Sequence, residues 1–144
     1  MDRAVDIVGL GWSGFRTITP DLSYKEIVFE AASRAYADAG IDQRRDVQGF
    51  VTAAEDFHEG TSIFDEYTPD QLGVVRKAVY TVCGDFLQAL GSAVMQINTG
   101  QYHLLAVSAF SKASNVLTNE EVLNFAYDPT LGRLGVTPHY LAGI

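Results

Sequence analysis

The chain has 144 residues, enough for one domain that buries roughly two-thirds of its unfolded surface. Its 47% hydrophobic and 19% charged content is that of an ordinary soluble protein, and a formal net charge of −8 works against nucleic acid or an anionic membrane as partner. No apolar run approaches the ~20 residues of a membrane span, and a single cysteine rules out an internal disulfide or a cysteine-built metal site.

The opening Met1-Asp2-Arg3-Ala4 lacks the basic-then-apolar pattern of a signal peptide, so a reducing, cytoplasmic setting is expected. Ala4 to Leu10 is a short, β-branched, mostly apolar run that predicts a strand. Gly9-Leu10-Gly11-Trp12-Ser13-Gly14 then spells G-x-G-x-x-G, the dinucleotide fingerprint. That mechanism needs its third glycine in the first turn of a helix that holds pyrophosphate. Here Thr17, Thr19, Pro20 and Asp21 intervene, and Glu55 comes too late to be the ribose-binding acid. A tight glycine-rich turn is the expectation.

Ser23 and Glu26 form a capping box, and Ile27, Val28, Ala31, Ala32, Ala35, Tyr36 and Ala39 recur at helical spacing. With Gly40 as its C-terminal cap, this is an amphipathic helix with one buried face. Val47 to Ala54 predicts a second strand. The stretch Glu55-Asp56-Phe57-His58-Glu59-Gly60 offers one histidine and no paired ligand spacing, so it reads as a solvated acidic loop and no metal is expected. Thr68, Pro69 and Gln71 signal a helix start.

Ala78 to Val82 predicts a third strand, and Cys83-Gly84 leads into a helix from about Asp85 to Thr99, ended by Gly100. That helix is apolar on nearly all sides, the pattern of a helix buried between layers. Leu104 to Phe110 is a fourth strand. The alternation argues for an α/β fold with a largely parallel mixed sheet. Thr118 and Glu121 predict a short helix to Ala126, Asp128-Pro129, Gly132 and Gly135 an irregular stretch, and Thr137-Pro138 a helix start with six residues to follow, which reads as truncation. The expected division is therefore an α/β core over 1–114 and the start of a loop region over 115–144.

His103 and His139 are lone histidines and read as structural. Arg44, Arg45, Arg76 and Lys77 are the basic candidates for an anionic ligand, with solubilising surface charge as the plainer reading. Cys83 stands apart: a buried, inert cysteine is the commoner case over all proteins, but this one ends an apolar strand and precedes a helix by one glycine. Helix amides and the helix dipole favour an anion at such a corner, and a thiolate placed there attacks a thioester carbonyl and holds the acyl group.

Three segments resemble the thiolases, particularly archaeal and sterol-carrier-protein-type acetyl-CoA acetyltransferases. "VDIVGLGWSGF" from Val5 to Phe15 is similar to their opening strand and turn. "SYKEIVFEAASRAYADAGID" from Ser23 to Asp42 is similar to their first helix, and "VYTVCGDFLQALGSAVMQINTGQYHLLAVSAFSKAS" from Val79 to Ser114 to their nucleophile strand, buried helix and next strand. The resemblance implies the N-terminal half of a thiolase-like fold, with Cys83 as the acylated nucleophile and the Gly84 backbone beside the substrate. It implies a coenzyme A thioester as substrate, no covalently bound cofactor, and a homodimer. Thiolases carry their catalytic histidines and second cysteine in a C-terminal half, which this chain lacks. The resemblance therefore also implies either a separate C-terminal half as partner or that this chain is a fragment of a longer one. Where the family has a small residue, serine and glycine after the cysteine, this chain has Gly84, Asp85 and Phe86. That departure brings in two other readings. One is a thiolase-fold aldolase subunit that cleaves side chains of steroid-type CoA esters with an OB-fold partner. The other is a non-catalytic thiolase-like scaffold.

Overall fold

The computed structural model describes residues 4–13, 16–54, 69–73, 76–112 and 128–137. The acidic stretch 55–60, the short helix at 118–126, the division at 114/115, His58 and His139 lie outside them, as does everything after Thr137.

Three strands form a parallel sheet: β1 (Gly49–Ala54), β2 (Ala78–Thr81) and β3 (Leu105–Phe110), in the order β2-β1-β3. The register sets Thr52 level with Thr81 on one side and Ser108 on the other. Among the described residues all the pairing is parallel, in keeping with the largely parallel sheet that the strand–helix alternation predicts. Because successive residues of a strand face opposite ways, β1 serves two cores. Phe50 joins Val47, Leu72 and the α1 residues Val28 and Ala32 on one face; Val51 and Ala53 join Ala89 and Ala93 on the other. Helices α1 (Tyr24–Ala39) and α2 (Pro69–Leu72) thus lie opposite α3 (Phe86–Asn98), making three layers.

The boundaries of α1 follow from its sequence. Ser23 accepts from the Glu26 amide while the Glu26 carboxylate accepts from the Ser23 amide at 2.8 Å. Gly40 closes the helix at φ 66°, a left-handed conformation that glycine adopts without strain. Tyr36 then ties α1 to the end of α2, donating its hydroxyl to the Leu72 carbonyl at 2.8 Å.

Residues 4–10 correct the first expectation. They belong to no strand ladder among the described residues. A strand needs a neighbour to take its backbone groups, and this segment instead lies along α1. Asp38 accepts from the Leu10 amide at 2.9 Å, and the Arg34 guanidinium donates to the Trp12 carbonyl at 2.6 Å. The glycines are explained by this contact. A Cβ on Gly9 would meet the Ala35 oxygen at 2.5 Å, and one on Gly11 the Ala31 oxygen at 2.1 Å. Neither glycine has positive φ, so Gly9 and Gly11 serve close approach to a helix; Gly14, the third glycine of the expected turn, lies outside the described residues.

Two further corrections concern helices. Helix α3 buries Ala89 and Ala93 against the sheet but leaves Leu87 and Met95 exposed, so among the described residues it is covered on one side only. Within the stretch expected to be irregular, Asp128 caps a helical turn, α4 (Pro129–Arg133), through the Thr130 and Leu131 amides.

Candidate functional site

The carboxyl end of β2 carries the candidate nucleophile. The Val82 amide donates to the Thr52 carbonyl at 2.9 Å, the last tie between β2 and β1. Cys83 follows immediately, and its thiol is free and exposed. Carried two residues past Thr81, the sheet register sets residue 83 level with Ala54 and Phe110 at the ends of the two other strands. In parallel α/β sheets this is the edge at which ligands bind.

The turn from Cys83 into α3 is built by a second capping box. Asp85 is the N-cap, and its carboxylate accepts from the Leu87 amide at 2.9 Å and the Gln88 amide at 3.2 Å. Gln88 reaches back and accepts from the Asp85 amide at 2.9 Å. Gly84, at φ 144°, sits under that returning side chain; a Cβ there would stand 1.4 Å from the Gln88 Oε1. Asp85 is thus committed to the helix end, and the first-turn amides expected to stabilise an anion at Cys83 already hold a carboxylate. Gln88 is the residue the sequence reading missed, although Asp85-x-x-Gln88 is itself a capping-box signature.

Lys112, just past β3 at the same edge, is 4% exposed and belongs among the charged groups acting on Glu26. Charged residues are rarely so buried, which makes Lys112 the notable cation on the Cys83 side of the sheet. The basic candidates read from the sequence lie at the opposite edge. Lys77 precedes β2 and donates its ammonium to the carbonyls of Gln43 at 3.1 Å, Arg44 at 2.6 Å and Val47. Arg45 pairs with Asp46 at 2.7 Å, which holds that carboxyl down at about 2. At ~3.3 Å per strand residue, Lys77 and Cys83 are roughly 20 Å apart, so these residues form no basic patch beside the thiol.

His103 is placed similarly. It precedes β3, and its backbone amide donates to the Gln48 side chain at 2.5 Å. It stands about seven register steps from Cys83, or roughly 23 Å, too far to take a proton from it. No group of three metal-ligating side chains occurs among the described residues, and no helix there is long and apolar enough to cross a membrane. Two shallow grooves among those residues lie between Leu10–Trp12 and α1 and around 128–137.

No family model matches the sequence, and no curated protein matches it. Among solved structures, 3-oxoacyl-[acyl-carrier-protein] synthase III from Aquifex aeolicus VF5 is similar, with a TM-score of 0.59 at 17% identity. The match covers 70% of this chain and 33% of the synthase. At that identity the likeness is one of fold: the parallel three-stranded α/β unit corresponds to part of a thiolase-like fold, and the chain spans about a third of the protein it matches.

Proposed function

We propose that this chain is the nucleophile-bearing part of a thiolase-like acyl-CoA acyltransferase of the acetyl-CoA acetyltransferase type, acting in a reducing cytoplasm as a homodimer completed by a separate C-terminal half. The observation that carries the proposal is an exposed thiol at the carboxyl end of a parallel strand, one glycine ahead of the N-cap of a 13-residue helix. The solved structure of similar fold belongs to a protein named as a 3-oxoacyl-[acyl-carrier-protein] synthase, which supports acyl thioester chemistry here. In the proposed step the Cys83 Sγ attacks the thioester carbonyl carbon. The bond from that carbon to the coenzyme A sulfur breaks, and coenzyme A leaves as its thiol with the proton that Cys83 gave up. The backbone at Gly84 lies beside the substrate, and the C-terminal half supplies the base that carries the proton.

Incubation with acetyl-CoA followed by mass spectrometry of the Cys83 peptide tests this, with and without a thiolase C-terminal half. An acetyl adduct on Cys83 is expected. Its absence under both conditions, with intact coenzyme A ester recovered, overturns the acyl-carrier role.

The Asp85 cap favours a second reading. Its carboxylate already takes the first-turn amides of α3, which suits a thiolase-fold aldolase subunit that works on CoA-linked steroid-type esters with an OB-fold partner and does not use the cysteine. Retained activity in Cys83→Ser alongside such a partner would select it. An unreactive thiol and no activity in the full assembly would leave the non-catalytic scaffold.

A further inference from the structure

The turn between α1 and β1 spends its amides on itself. The Asp42 carboxylate accepts from the Arg44 amide at 2.9 Å and the Arg45 amide at 3.0 Å. The Asp42 amide donates to the Asp46 carboxylate at 2.9 Å, and the Asp46 amide to the Asp42 carbonyl at 2.8 Å. The carbonyls of Gln43, Arg44 and Val47 accept from one group brought in from 30 to 34 residues along the chain, the Lys77 ammonium. An ammonium has three N–H donors and no acceptor, so the three oxygens use it completely. Lys77 enters beside a strained position. Arg76 is the one non-glycine residue with positive φ among the described residues, at 54°, and such a conformation persists where its surroundings fix it.

The donor set narrows the ion that suits this place. Divalent cations take carboxylate oxygens. Here the Asp42 and Asp46 carboxylates are occupied by amides and by the Arg45 guanidinium. That leaves neutral carbonyls, the donors that replace the water shell of potassium. Potassium and ammonium ions are close in size.

We infer that the carbonyl oxygens of Gln43, Arg44 and Val47 form a monovalent cation site, which Lys77 fills with its own ammonium. The chain thereby carries the ion that joins this turn to the start of β2 and takes none from solution. The site stands at the other end of the sheet from Cys83 and does not depend on the proposed acyl transfer.

Thermal melts of the full chain in potassium, ammonium and tetramethylammonium chloride at equal concentration test it. Each variant is read against the wild type in the same salt, which removes the general effect of that salt. Lys77→Ala empties the site and should lower the melting temperature by about 5 °C in tetramethylammonium chloride. Potassium or ammonium should recover most of that loss and saturate with concentration, as binding to the folded state requires. Lys77→Met loses the same charge but keeps a stem in the way, so it should stay low in all three salts. A Lys77→Ala variant as stable as the wild type, or rescued no better by potassium and ammonium than by tetramethylammonium, overturns the site. Equal rescue of Lys77→Met overturns it too. The wild type adds a measurement that needs no folded variant. N-hydroxysuccinimidyl acetate, with peptides read by mass spectrometry, should acetylate exposed Lys25 many times faster than Lys77. Equal rates would show that the ammonium is not held and would overturn the site.

Discussion

The side chain of Gln88 lies over the α-carbon of Gly84, in the space that a methyl group at position 84 would fill. The positive φ of Gly84 restricts which residue can follow the cysteine, and the hydrogen bond from the Asp85 amide to Gln88 adds a second, softer obstacle. Gly84→Ala faces both this clash and a left-handed backbone. A loss of about 2–3 kcal/mol is expected by denaturant unfolding. In a Gln88→Ala background the same substitution should cost less, since the clash is gone and the strain remains. Equal costs in the two backgrounds would show that the two side chains do not meet.

Asp85 can be separated into its cap and its charge. Asp85→Asn keeps an N-cap acceptor and should change stability by only a few tenths of a kcal/mol, whereas Asp85→Ala should cost about 1 kcal/mol. Both remove the carboxylate at the helix start, so both should speed alkylation of Cys83 at neutral pH severalfold. The readout is the rate with iodoacetamide under native conditions.

The sequence reading worked where the signal was local. Ser23 with Glu26 and Gly40 marks both ends of α1 within a few residues, and the α3 boundaries are set as locally by Asp85 and Gly100. It failed where the cause lay across space. Ala4 to Leu10 has the composition of a strand, yet it has no ladder partner among the described residues. The purpose of Gly9 and Gly11 becomes visible only with Ala31 and Ala35 opposite them. Distance misled in the same way for Lys77 and Arg45, whose charges suggested a ligand patch until the parallel register put them at the other end of the sheet from Cys83.

Gly11→Ala tests that helix contact. The added methyl would stand 2.1 Å from a backbone oxygen of α1, which cannot yield without moving the segment. A cost of about 1–3 kcal/mol is expected, together with faster proteolysis at the N-terminus. Lower fluorescence anisotropy of Trp12, the single tryptophan, should accompany it.

Tyr36 gives the fold an alkaline limit. Burial raises its hydroxyl from 10 to about 12, so the folded state favours the neutral form. That contribution is whole below pH 10, the unfolded value, and is lost as pH rises toward 12. Tyr36→Phe removes the bond to the Leu72 carbonyl and should cost about 1 kcal/mol at pH 7. Between pH 10 and 12 the variant should lose less stability than the wild type, as thermal melts across that range would record.

The amide of Val82 closes the last rung between β2 and β1, and Cys83 is the next residue along. A side chain one residue beyond a hydrogen-bonded sheet takes its starting point from that sheet. In the proposed acyl transfer, the sulfur would then be positioned by β2, and the thioester would have to come to it.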